Sequence, residues 1–152
     1  MTLLLLHTQN THFLGLYDKC NLILELQNSS KSLDALCEMY IQANLQDIKI
    51  SQICYGRGPG ALSAQKLIHI FANTIALLKG AKLLATNNFE LNCNSPIHAF
   101  GNKYFVKNEN VISMQTMQPR NEELNTKIAL PKKLDLAIFN EALEPLYITD
   151  AL

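Results

Sequence analysis

The stretch ISQICYGRGPGALSAQKLIHIFANTIALL, Ile50 to Leu78, decides the fold. Ile50 to Tyr55 has the composition of a buried strand, and Gly56-Arg57-Gly58-Pro59-Gly60 ends it in a turn. From about Ala61 to Lys79 the apolar residues recur at helical spacing, and Gly80 supplies the stop. A short strand, Lys82 to Thr86, follows. Strand, turn, helix and strand in this order form a unit in which a parallel strand pair carries its helix on one face.

Upstream, a helix is expected from about Ser32 to Leu45, entered through Asn28-Ser29-Ser30 and favoured by Asp34 near its positive end. Before it stand three strand-like segments, Leu3 to Thr8, His12 to Tyr17 and Leu22 to Gln27, separated by turn-prone residues. The leucine run of the first marks a central strand covered on both faces. The result is an α/β class, a mixed sheet with helices, laid out as an actin-like or ribonuclease-H-like lobe. Downstream the pattern weakens. A short helix is expected at Asn88 to Leu91, strands at Lys103 to Val106 and Val111 to Gln115, and a polar connection at Pro119 to Asn125. A helix is expected at Leu134 to Ala142, and an extended tail at Pro145 to Ile148. Residues 1–92 form the main lobe in this reading, and residues 93–152 a reduced second lobe with its tail.

The composition narrows the function classes. Among 152 residues, thirteen basic and thirteen acidic side chains cancel. The electrostatic footprint of a stand-alone nucleic-acid binder is therefore missing, and any RNA contact is expected to be indirect, with Arg57 and Lys132-Lys133 the basic features of note. Cys20, Cys37, Cys54 and Cys93 lie far apart without zinc-ligand spacing, so buried free thiols in a reducing cytoplasm are expected. Leu3 to Leu6 is too short for the core of a signal peptide, and His69 and Asn73 interrupt the apolar run Leu67 to Leu78. The expectation is a cytoplasmic protein with no membrane segment.

The residues that could carry chemistry are few. Gly58-Pro59-Gly60 links a strand to a helix start, whose unpaired N–H groups can cradle an anion, but the same turn serves equally as a sharp corner. At about 100° per residue, Leu67, Ile70, Phe71, Thr74 and Leu78 of the second helix form a stripe that Ile68, Ala72 and Ile75 widen. This arc exceeds half the circumference. The surplus is covered either by a partner or by the neighbouring helix through Leu36, Met39 and Ala43, and Ala64 and Ala72 allow close helix contact. A magnesium enzyme of this fold requires carboxylates at the strand ends. The first strand ends instead in His7-Thr8-Gln9, and Asp18 sits in a turn. The four histidines stand singly. No catalytic residue, metal site or cofactor is assigned.

The run Ile53-Cys-Tyr-Gly-Arg-Gly-Pro-Gly-Ala-Leu-Ser-Ala-Gln-Lys-Leu67 resembles the signature of the bacterial TsaB (YeaZ) family, a strand leading into Gly-Pro-Gly-Ser-Phe-Thr-Gly-Leu-Arg. Gly58, Pro59 and Gly60 match, Leu62, Ser63 and Lys66 are similar replacements, and Ala61, Ala64 and Gln65 depart. Pro145-Leu-Tyr-Ile148 is similar to the family's closing Pro-x-Tyr-Leu-Arg. The resemblance implies a non-catalytic scaffold in the making of threonylcarbamoyl-adenosine in tRNA, an inactive paralogue of the catalytic subunit TsaD that pairs with it and helps recruit the ATPase TsaE. A homodimer is also implied as possible. By resemblance the motif turn is Gly58, Pro59, Gly60, Ser63 and Lys66, and the docking helices present Leu36, Met39, Ala43, Ala64, Ile68, Ala72 and Ile75. Two departures stand out. The family's Asp-Thr-Ser at the first strand is His7-Thr8-Gln9 here, and the chain is short beyond Asn94. The alternative reading is a small actin-like enzyme that binds a phosphate-bearing substrate or nucleotide at Gly58 to Ser63.

Overall fold

The computed structural model describes residues 1–8, 10–30, 32–117 and 130–148. Three antiparallel strands open the chain: β1 (Thr2–Thr8), β2 (Thr11–Asp18) and β3 (Asn21–Asn28). Helix α1 (Leu33–Gln42) leads through a 3-10 turn (Leu45–Asp47) to β4 (Gln52–Gly56). Helix α2 (Leu62–Lys79) returns the chain to β5 (Lys82–Thr86). These strands form one sheet in the order β3-β2-β1-β4-β5, with β1 antiparallel to β2 and parallel to β4.

The leucine run is central because all seven residues of β1 are buried. Side chains alternate across a strand. Leu3 and Leu5 therefore enter one core with Leu14, Ile53, Leu36, Met39 and Ile68 under the helices. Leu4 and Leu6 enter a second core on the opposite face with Phe13, Tyr17 and Cys54. At an ordinary aliphatic transfer free energy, each of these leucines contributes about 1.5–3 kcal/mol of burial.

Ser32 caps α1, its hydroxyl accepting from the Ala35 N–H at 3.2 Å. The expected helix to Leu45 breaks after Gln42, because Asn44 adopts a left-handed conformation and a 3-10 turn follows. Helix α2 ends at Gly80, also left-handed, as its composition predicts. Lys79 secures that end by donating from Nζ to the carbonyls of Gln46 and Ile48, both at 2.9 Å.

Beyond residue 92 a second, three-stranded antiparallel sheet follows: β6 (Ile97–Phe100), β7 (Lys103–Asn108) and β8 (Val111–Thr116). β6 is a strand the sequence reading did not anticipate. The expected helix at Asn88 to Leu91 is a pair of turns. The expected polar connection at Pro119 to Asn125 lies outside the described residues.

The assignment of residues 93–152 to one second lobe is corrected for 130–148, which returns to the large sheet. Leu130, Leu134 and Phe139 fill the second core beside Leu4 and Leu6. Three hydrogen bonds fix the path: Leu22 N–H to Lys132 O at 2.9 Å, Leu134 N–H to Cys20 O at 2.8 Å, and Tyr17 OH to Pro131 O at 2.8 Å. The helix expected over Leu134 to Ala142 shrinks to one 3-10 turn, Leu136–Ile138, because pairing with Cys20 and Leu22 holds its start extended. Tertiary pairing overrides the local helical preference.

Candidate functional site

The motif turn is held from three sides. Arg57 N–H donates to Thr86 O at 2.8 Å, and Leu146 N–H donates to Arg57 O at 2.7 Å. The Gly58–Pro59 peptide is cis, and Gly58 has φ +117°. A Cβ on Gly58 would lie 2.6 Å from Leu146 O, so only glycine suits this place on two counts. Gly60 faces the Gln65 amide, which a Cβ would strike. Asn88 donates from its backbone N–H to Gly58 O at 2.7 Å and from Nδ2 to Pro59 O at 3.0 Å. The carbonyl of His7 accepts from Gln65 Nε2 at 2.9 Å and Asn88 Nδ2 at 3.3 Å. Gly58, Pro59 and Gly60 thus form a corner welded to β1, the Asn88 turn and the C-terminal segment. Ser63 and Lys66 are exposed on the first turn and a half of α2, away from that weld.

Arg57, read from the sequence as one of the basic features open to RNA, is committed elsewhere. Its Nη1 pairs with Glu141 Oε1 at 3.1 Å, its Nε donates to Glu144 O at 2.9 Å, and its Nη2 lies 3.9 Å from Glu144 Oε1. The second oxygen of Glu141 accepts from Thr86 Oγ1 at 3.2 Å and from both the backbone N–H and Nδ2 of Asn87 at 2.7 Å. Burial alone would raise the Glu141 carboxyl. The bonds from Asn87, Arg57 and Thr86 outweigh it and hold the group below the usual carboxylate range.

Where the family pattern has an aspartate, the end of β1 carries a histidine pair. His7 and His12 are cross-strand partners, both buried, with Nδ1 to Nδ1 at 2.9 Å and edge-on rings 4.4 Å apart. One nitrogen must donate and the other accept, so this contact excludes two imidazolium ions. Burial pushes His12 below its ordinary value, against a backbone hydrogen bond at Ser32. A third imidazole, His69, meets Tyr55 OH at 2.9 Å on the polar strip of α2. Burial lowers His69, against the charge of Glu144, and burial pushes the Tyr55 hydroxyl up to about 12, against Arg57. Among the described residues no group of three or more His, Cys, Asp or Glu is arranged to hold a metal ion.

The seven residues named for the docking helices require correction. Leu36, Met39, Ala43, Ala64, Ile68, Ala72 and Ile75 are all buried, and six of them join the core between the helices and the sheet. The sheet takes Phe71 of the expected stripe together with Ile68, Ala72 and Ile75, which turns Ile70, Thr74 and Leu78 outward. Ile41 is 63% exposed, Ile70 46% and Leu78 73%. With Leu33 and Cys37 they line an apolar groove of about 380 Å³ between α1 and α2, floored by Phe71 and Ile75. Leu33, Cys37 and Ile41 stand four residues apart on α1, a stripe visible in the sequence and passed over there. The expectation of four buried thiols is likewise corrected. Cys54 is buried, and its thiol is pushed up to about 12 by burial and then by Cys20, but Cys37 and Cys93 are exposed.

Against solved structures, the chain is similar to YeaZ from Pseudomonas aeruginosa, with a TM-score of 0.54 at 14% identity over 77% of this chain. The chain has the YeaZ fold. It spans 60% of that protein's length. It is also similar to an uncharacterised protein described as resembling the peptidase YeaZ from Pseudomonas aeruginosa. There the TM-score is 0.50 at 13% identity, covering 99% of this chain and 84% of that one. No family model and no curated protein matches the sequence. The large mixed sheet with its two helices agrees with the actin-like, ribonuclease-H-like class expected from the sequence. Among the described residues no helix is long and apolar enough to cross a membrane.

Proposed function

We propose that the chain is a YeaZ-type, TsaB-type scaffold subunit of the machinery that places threonylcarbamoyl-adenosine on tRNA, docking on the catalytic subunit TsaD through the outer faces of α1 and α2. The single observation that carries this reading is the apolar groove between those helices on a YeaZ fold. A contiguous apolar surface that the monomer leaves uncovered is favourable to bury against a partner. The end of β1 offers His7 and Thr8 and no carboxylate, which suits a subunit that supports chemistry performed elsewhere. The ATPase TsaE joins through the assembled pair, and tRNA is reached indirectly. The same groove serves a homodimer when the partner is absent.

The test is co-purification of the full chain with the catalytic subunit, coupled to sedimentation of the chain alone. Ile70→Glu and Ile41→Glu place charge in the groove at exposed positions, so the monomer stays folded while binding falls at least tenfold. Ile68→Glu and Ile75→Glu instead unfold the monomer, because a buried unpaired carboxylate costs several kcal/mol. Full binding by Ile70→Glu and Ile41→Glu would remove the groove from the interface.

A further inference from the structure

Two cavities meet at the start of α2. The larger, about 300 Å³, is apolar and lies between the small sheet and the helix start, lined by Leu62, Phe100, Phe105, Met114 and Ile148. The smaller, about 20 Å³, is lined by His7, Thr8, Asn10, Ile97 and His98. Gly60, Ala61 and Ala99 border both, so the two are compartments of one cleft. The smaller holds one water-sized group, and the larger reaches the lower end of small-molecule pockets.

The polar compartment has the sign and the donors for an anion. Ala61 stands at the N-cap of α2, and no side chain caps that end. The first N–H groups of the 18-residue helix lack intrahelical partners and carry the positive end of its dipole. Independently, Thr8 in the small compartment is 2% exposed, and its Oγ1 has no hydrogen-bond partner among the described residues. A buried hydroxyl left so is unfavourable, and a polar ligand atom beside it would relieve that cost. Among the described residues no acidic side chain lines either compartment, and the Lys103 ammonium stands 5.7 Å from the Phe100 ring centroid.

We infer that this cleft binds a small aromatic anion, a carboxylate or phosphate monoester, with one anionic oxygen near Thr8 and the start of α2 and the ring against Phe100 and Phe105. Phe100 and Phe105 offer the ring its apolar contacts, and the helix start supplies the charge complement. The inference stands apart from the docking groove, which lies on a different part of α2.

The test is a titration of the ¹⁵N-labelled full chain with phenyl phosphate, benzoate and the neutral benzyl alcohol, followed by amide shifts. The expected result is saturable binding of both anions at least tenfold tighter than the alcohol, with the largest shifts at Gly60, Ala61, Leu62, Ala99 and Phe100. Whichever anion binds more tightly identifies the preferred head group. Ala61→Asp puts a carboxylate at the helix cap, a change that favours the helix start. It keeps the fold and weakens both anions at least tenfold more than it weakens the alcohol. Absence of saturation, equal affinity for alcohol and anions, shifts centred on Ile41 and Ile70, or an unaffected Ala61→Asp variant would overturn the inference.

Discussion

Replacing Glu141 tests whether the C-terminal segment is fastened to the motif turn by charge. Its two oxygens accept four hydrogen bonds, from Arg57, Thr86 and twice from Asn87, at 2.7 to 3.2 Å. A hydrogen bond to a charged group contributes about 1.5–3 kcal/mol. The four do not add, because the Glu141 side chain is 25% exposed and solvent can meet some of the released donors. Arg57, 12% exposed, keeps its bond to the Glu144 carbonyl but loses its short carboxylate partner. We therefore expect Glu141→Ala to cost about 2–3 kcal/mol and Glu141→Gln, which keeps one acceptor oxygen, about 1–2 kcal/mol. At about 2–4 °C per kcal/mol for a chain of this size, the alanine variant melts roughly 5–10 °C lower. The pH dependence gives a second reading. Because the folded carboxyl titrates below its ordinary value, its contribution is complete above the unfolded value of about 4.3. It is lost as pH falls through the folded value, and Glu141→Gln lacks that loss. Urea unfolding followed by circular dichroism between pH 7 and pH 3 measures both. A cost under about 0.5 kcal/mol for Glu141→Ala, or parallel acid limbs for the wild type and Glu141→Gln, would refute the reasoning.

The histidine pair gives a different window. His12 is held neutral by burial, so the unfolded chain takes up more protons below its ordinary value of about 6.5 and stability falls with pH from there. Urea midpoints at pH 7.5 and 5.5 should drop more for the wild type than for His12→Gln, with His69 contributing a shared remainder; equal drops would contradict a buried neutral His12. In the second core, Phe139→Ala should cost about 3–5 kcal/mol and Leu130→Ala about 2–5 kcal/mol by cavity formation. Calorimetry showing either within 1 kcal/mol of the wild type would mean that the C-terminal segment leaves the sheet readily.

How much of this was legible in the sequence follows from the range of each signal. β1, β2 and β3, the strand-turn-helix unit and Gly80 were readable because period-2 and period-3.6 patterns and turn chemistry act over a few residues. The docking residues were misplaced because the apolar arc of α2 gives a width and no absolute orientation. Its phase is set by where Leu3 and Leu5 stand in the sheet beneath. The return of 130–148 was invisible for a related reason. The bonds from Leu22 to Lys132 and from Cys20 to Leu134 span more than one hundred positions and leave no local mark. Glu141 reads as one acidic residue among thirteen until the fold sets it beside Arg57 and Asn87.

The second core has an implication for synthesis. Leu4, Leu6 and Phe13 are made early, yet the residues that cover them, Leu130, Leu134 and Phe139, are made more than a hundred positions later. During translation the large sheet can assemble its helical side while its other side stays wet and apolar. Such contacts between early and late residues slow folding and prolong the exposure of sticky surface. A ribosome-stalled chain ending near residue 117 should therefore attract chaperones, and a chain extended past residue 148 should release them.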